Sequence, residues 1–147
     1  MAMAPKGPHP SLFLTLVLLA ACLAQLSKGA SYWQFLKEHV DSYKIQGFDG
    51  NTYCDYIMER RGLTRPVCKA TNTFIHAFTS EIQAICRGAG RCHGRNICDS
   101  NSSFFITTCW VAPGSRLGRC VYRGRSHTRR IRVACNQRLP VRFVRIL

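Results

Sequence analysis

Cys68-Lys69-Ala70-Thr71-Asn72-Thr73-Phe74 places a cysteine, a lysine and hydroxyl side chains within six residues, then runs into the apolar pair Phe74-Ile75. Alternation from Lys69 to Phe74 predicts a strand. On a strand, Lys69, Thr71 and Thr73 share one face, opposite Asn72 and Phe74. A cation and a hydroxyl on one face could hold a phosphate and the base attached to it. Taken alone, Lys-x-x-x-Thr more often marks an edge strand with a solvated lysine. The rest of the chain decides between the two.

The N-terminus reads as a targeting segment. Lys6 sits in a short polar lead, and Ser11 to Leu26 is nearly all apolar. That run is too short and too poorly flanked for a spanning helix. Ser27 and Gly29 are small residues placed for a cut before Ala30, so residues 1–29 are expected to be a secretory signal peptide and 30–147 a single secreted domain. No other segment is able to span a membrane.

Cys22 leaves with the leader, and the nine cysteines become eight. Eight cysteines in a secreted domain of this size mean a disulfide framework. Cys86, Cys92 and Cys98 are evenly spaced but form no C-x-x-C pair, so neither a metal nor any other cofactor is expected. Without Lys6 and Lys28, the 21 basic residues become 19 against 7 acidic ones, a net charge of +12. Arginine dominates, and from Cys98 onward the single acid is Asp99. The planar guanidinium donates two parallel hydrogen bonds to phosphate. Partners should therefore be polyanions: nucleic acid, anionic membranes or sulfated glycans. The protein is expected to be a monomer.

The elements that must position these groups are short. Tyr32 to Val40 predicts a helix with His39 beside its apolar stripe. Gln46 to Thr52 reads as a loop. A second helix is predicted over Tyr53–Arg61, stopped by Gly62, and a third after Thr79 or Ser80 as cap. Gly88 to Gly94 reads as a glycine-rich loop, and Asn101-Ser102-Ser103 is a glycosylation sequon. Strands are predicted over Phe104–Val111, Cys120–Arg123, Arg129–Cys135 and Val141–Ile146, with the arginines of Arg130-Ile131-Arg132-Val133 on one face. Helices early and strands late argue an α+β domain.

Phe35-Leu36-Lys37-Glu38-His39-Val40-Asp41, Cys68-Lys69-x-x-Asn72-Thr73-Phe74, Val133-Ala134-Cys135 and Leu139-Pro140-Val141 resemble the pancreatic-type ribonuclease (ribonuclease A) superfamily over the whole mature chain. Arg60-Arg61-Gly62-Leu63-Thr64 and Asn72-Thr73-Phe74-Ile75-His76 are most similar to its angiogenin branch. The resemblance implies three short helices on a curved antiparallel sheet. It also implies the pairs Cys54–Cys109, Cys68–Cys120, Cys86–Cys135 and Cys92–Cys98. Angiogenins lack the last pair and use that loop for cell contact, so Cys92 and Cys98 weaken an angiogenin-like signalling role. The implied chemistry is pyrimidine-directed RNA cleavage, by attack of the ribose 2′-hydroxyl on its own phosphate. His39 matches the base, Lys69 the cation that stabilises the transition state, and Thr73 and Asn72 the substrate-binding residues.

The pattern breaks after Leu139-Pro140-Val141. The family's second histidine, the acid, is here Arg142, and the aspartate that orients it is Val144. Arginine stays protonated and cannot give a proton to a leaving group. Glu38 stands where the family has glutamine, and Arg142 is its expected ion-pair partner. His76 is expected to be structural, His93 to lie in the small disulfide loop and His127 in a hairpin turn; none is expected to replace the acid. The expected function is a secreted cationic protein that binds RNA, with Arg142 gripping phosphate and cleavage strongly reduced. The competing readings are a charge-driven host-defence protein and an angiogenin-like signal carried by Arg60-Arg61-Gly62-Leu63.

Overall fold

A computed structural model describes residues 10–94 and 96–147; of residues 10 and 24–30 only the backbone is described. Lys6 lies outside the described residues. The fold is α+β, with three helices, α1 (Pro10–His39), α2 (Gly50–Arg60) and α3 (Thr79–Ile85). The strands are β1 (Thr71–Ile75), β2 (Gly90–His93), β3 (Ile97–Ser100), β4 (Phe104–Val111), β5 (Tyr122–Arg129), β6 (Ile131–Asn136) and β7 (Leu139–Ile146). All strand pairs are antiparallel, in two sheets ordered β1-β4-β5 and β2-β3-β6-β7.

α1 does not begin at Tyr32: one continuous helix joins the apolar run Ser11 to Leu26 to the helix expected from Tyr32. The junction contains no proline, and a lone Gly29 costs a helix only about 1 kcal/mol. Leu12, Phe13, Leu14, Leu16 and Leu19 are exposed around the leader's circumference. Among the described residues no helix is long and apolar enough to cross a membrane.

α2 starts earlier than hydropathy suggests. Asp49 caps it by accepting a hydrogen bond from Thr52 N at 2.7 Å, leaving one fewer orphan amide. Gly50 and Gly124 let α2 and β5 touch backbone to backbone: a Cβ on Gly124 would lie 2.2 Å from Gly50 O and 2.5 Å from Cys54 Sγ. α3 is capped at Phe78 with no side-chain hydrogen bond, so neither Thr79 nor Ser80 is its cap. The Gly88–Gly94 stretch is no simple loop either. Its second half is β2, paired with β3 so that Cys92 faces Cys98. β5 runs on to Arg129, which puts His127 within a strand instead of a turn.

Two cores lie on either side of β1. Ile75 packs with Phe35, Val40, Ile82, Ile85, Ile106, Ile131 and Val133. Its neighbour Phe74 packs with Tyr53, Ile57, Met58, Leu63 and Tyr122. Alternate side chains of one strand thus serve two hydrophobic layers.

Four disulfides join these parts: Cys54–Cys109, Cys68–Cys120, Cys86–Cys135 and Cys92–Cys98. The first three span 49 to 55 residues. In the chain-entropy account each such loop contributes about 4 kcal/mol, against about 2 kcal/mol for the six-residue separation of Cys92–Cys98. The framework therefore rests on the three long bridges.

The Gly50–Gly124 contact has a direct test. Gly124→Ala should destabilise the fold by about 1–3 kcal/mol, because backbone and a disulfide sulfur cannot yield as a flexible side chain would. Urea unfolding measures it; an unchanged midpoint would mean that α2 does not bear on β5 as described.

Candidate functional site

The end of α1 is sewn to β1 by polar contacts. Asn72 Nδ2 donates to Glu38 O at 2.7 Å, and Asp41 N donates to Ile75 O at 3.0 Å. Arg61 Nη1 donates to Lys37 O, near the C-terminal end of the helix, and to Leu36 O, which also accepts from Val40 N. The same guanidinium lies 3.7 Å from Asp41, whose carboxylate accepts from Tyr53 Oη. Arg61 is thus engaged inside the fold, while Arg60 is exposed.

These contacts hold His39 Nδ1 2.9 Å from Thr73 O. A carbonyl only accepts, so Nδ1 carries the hydrogen and Nε2 keeps its lone pair. The ring stacks on Phe143 at 5.4 Å and touches Phe35 at 5.5 Å. Burial is the main reason its pKa falls from 6.5 to about 4, with Lys69 acting the same way and the Thr73 bond and Glu38 opposing. His39 is neutral at pH 7, with Nε2 free to take a proton.

A cavity of about 510 Å³ opens here, lined by Glu38, His39, Lys69, Thr71, Asn72, Thr73, Thr108, Arg142, Phe143, Val144 and Ile146. His39, Lys69, Asn72, Thr73 and Arg142, singled out from the sequence, thus stand around one space. Lys69 arrives differently from expectation. The strand starts at Thr71, so Lys69 precedes it and bends back, Nζ donating to Asn72 Oδ1 at 2.9 Å. Strict alternation had put Lys69 and Asn72 on opposite faces. The expected Glu38–Arg142 ion pair is not formed among the described residues. Glu38 Oε1 instead accepts from Gln34 Nε2 at 2.9 Å, and its Oε2 lies 4.0 Å from His39 Nε2.

β7 supplies its side chains through irregular pairing. Arg142 is opposite Ala134 and Phe143 opposite Val133, with register shifts on both sides of that segment. Bulges of this kind re-aim side chains, and Arg142 and Phe143, adjacent in sequence, both line the cavity. Thr108 was not singled out from the sequence. Its Oγ1 lies 3.2 Å from that of Thr73, a contact fixed by the pairing of β1 with β4. No local sequence signal marks it. Phe143 could have been noticed as the aromatic residue beside Arg142.

The other histidines lie elsewhere. His76 Nδ1 meets Asp41 O and Nε2 meets Thr107 Oγ1, and burial lowers its pKa. His93 Nε2 is 3.1 Å from Asp99, which Arg132 grips with two hydrogen bonds. That grip is the main reason the Asp99 carboxyl is held down to about 2. His127 Nε2 is buried without a partner among the described residues, and burial lowers its pKa, with Arg125 and Arg129 adding to the effect. None of the three lines the cavity. Among the described residues no group of three His, Cys, Asp or Glu side chains could hold a metal ion.

A family model described as pancreatic ribonuclease matches residues 30–144. A ribonuclease of Chelonia mydas is 46% identical over 116 residues, covering 79% of this chain and 98% of its own. An angiogenin of Sus scrofa is 44% identical over 133 residues, 88% of each chain. The crystal structure of green turtle egg white ribonuclease superposes with a TM-score of 0.76 at 45% identity, covering 80% of this chain and 98% of that one. With the α+β fold, the four disulfides and these matches together, the chain belongs to the pancreatic ribonuclease family, and both ribonucleases and angiogenins are among its relatives.

Proposed function

We propose that the mature protein is a secreted, basic RNA-binding member of this family whose cleavage of RNA is strongly reduced. Residues 1–29 serve as its leader, cut before Ala30. The family match beginning at residue 30 and the apolar side chains exposed around the leader helix support that boundary. Asn101, exposed between β3 and β4, is the proposed glycosylation site.

The observation that carries the reading is the arrangement of His39, Lys69 and Arg142 around a cavity that, among the described residues, no other histidine lines. Neutral His39 takes the 2′-hydroxyl proton at Nε2. Lys69 faces the charge that builds on phosphorus, and Thr73 receives the pyrimidine with its backbone and hydroxyl. Departure of the 5′-oxygen then needs a proton. Arg142 keeps its own, so water must supply it, slowly. Arg142 makes no hydrogen bond or ion pair with the described residues and is exposed, which suits it to grip phosphate. The cleft holds RNA better than it cuts it.

A second reading, charge-driven contact with microbial surfaces or sulfated glycans, draws on the exposed arginines Arg116, Arg119, Arg123, Arg125, Arg129, Arg130, Arg138 and Arg145. The internal engagement of Arg61 gives the angiogenin-like reading of Arg60-Arg61-Gly62-Leu63 little support.

Cleavage of single-stranded RNA by the mature protein is the decisive assay. We expect activity near background, rising on the order of 10²–10⁴-fold in the Arg142→His, Val144→Asp double variant. Efficient cleavage by the native protein, abolished by His39→Ala, would instead show that another group supplies the proton.

Neutral His39 also has a stability signature. Its folded pKa of about 4 lies below the ordinary 6.5, so between those values the unfolded chain binds more protons. Stability is then complete above pH 6.5 and is lost as pH falls towards 4, by up to about 3 kcal/mol. Urea unfolding across that window should show a shallower loss for His39→Gln; equal losses in the two proteins would assign the acid sensitivity to other groups.

A further inference from the structure

The cavity does not end at Thr73. β1, β4 and β5 pair in register, so residues of the three strands form rows across one face of the sheet. Thr73 is opposite Thr108, and Thr108 is opposite Arg125. The neighbouring row is Thr71, Trp110, Arg123. Thr71, Thr73 and Thr108 line the cavity, so Trp110 stands one strand, about 5 Å, beyond its rim. Trp110 is 39% exposed.

Arg123 and Arg125 are exposed and make no hydrogen bond or ion pair with the described residues. They lie two residues apart on the same face, about 7 Å along the strand. β1, β4 and β5 contain no acidic residue. An exposed indole with two uncommitted guanidinium groups along the next strand, one opposite it and one diagonal to it, is what a sequence-tolerant single-strand site needs. The ring offers a π-face for any base, and the cations along β5 take neighbouring phosphates.

We propose that Trp110, with Arg123 and Arg125, forms a second nucleotide site, a stacking platform for the RNA base next to the one held in the cavity. This rests on the RNA-binding reading above. The occupant is a single-stranded polynucleotide because the rows run without interruption from cavity to platform. A chain anchored at Thr73 reaches the indole without leaving the sheet, and the charged side chains that the two rows carry, Arg123 and Arg125, are both cationic. The platform lengthens the hold on RNA and asks nothing of the cleavage chemistry. It therefore serves a protein that binds its polynucleotide more than it turns it over.

The test uses the mature, disulfide-bonded protein and two probes, uridine 3′-phosphate and an eight-residue oligouridylate. Trp110→Ala should weaken the octamer about 5- to 150-fold, the range for loss of one stacked base. It should leave the mononucleotide unchanged. Trp110→Phe should restore most of the octamer affinity. Arg123→Gln and Arg125→Gln should each lower the dependence of octamer binding on salt by about one phosphate contact. In a Trp33→Phe background, the octamer should quench the remaining indole fluorescence and the mononucleotide should not.

Equal octamer affinity in Trp110→Ala and native protein, with salt dependence carried by the arginines alone, would reveal a purely ionic face and overturn the platform while RNA binding stands. The platform also fails if polyglutamate competes equally well against both proteins and octamer binding ignores Trp110. Should the native protein bind neither probe, the RNA-binding reading itself fails, and the platform with it. Loss of both probes in Arg142→Ala, together with loss of the octamer alone in Trp110→Ala, would establish the two sites separately.

Discussion

The hydrogen bond from His39 Nδ1 to the Thr73 carbonyl is the contact on which the rest of the cleft depends. It crosses from the last residue of α1 to the middle of β1, and it only forms because the two elements are sewn together on either side. Asn72 ties down the Glu38 carbonyl, Ile75 receives the Asp41 amide, and Arg61 takes the carbonyls of Leu36 and Lys37. A helix end normally leaves such carbonyls to solvent. Here a guanidinium from the end of α2 takes Lys37 O, shares Leu36 O with the Val40 amide and lies beside Asp41 as well, so both helices register against one strand.

That anchoring explains the state of the site. A histidine at a helix end in water would titrate near its ordinary value and could turn either nitrogen outward. Packed between Phe35 and Phe143, with Nδ1 committed, His39 has one tautomer, one exposed lone pair and a depressed affinity for protons. The charge of Lys69 opposes its protonation in the same direction as burial does. Lys69 is placed by a contact with Asn72, and Asn72 also holds α1, so the cation and the base share one support. Lys69 and Arg142 line the same cavity as this neutral imidazole, with the Glu38 carboxylate 4.0 Å from its Nε2.

Much was legible before any coordinates. The richness in cysteine and the basic composition follow from counting, and the helices and most strands follow from hydrophobic period, because burial of apolar side chains dictates it. Errors fell where local pattern and tertiary contact disagree. α2 begins at Gly50 because a glycine-to-glycine approach to β5 needs backbone without side chains, and an apolar-period reading cannot see that. β5 extends through Ser126 and His127 although few of its residues are apolar, because its pairing with β4 runs the strand's full length. The Gly88–Gly94 stretch folds as half of a hairpin through Cys92 and Cys98 in direct register.

The sequence by itself determined the residue types available for chemistry: one histidine at a helix end, a lysine beside a threonine-rich strand, an arginine near the C-terminus, and eight cysteines to bind them together. Those are matters of composition and short-range spacing. Tertiary structure alone decided which of them share a cavity and how they face it. Lys69 reaches Asn72 from outside the strand, Arg142 and Phe143 both line the cavity across a shifted register, and Thr108 and Trp110 join the cleft face only through partners more than thirty residues away. Side-chain direction on a strand follows a period of two only while pairing is regular. Where bulges and long-range register intervene, the face a residue occupies is a property of the assembled sheet, which no local pattern contains.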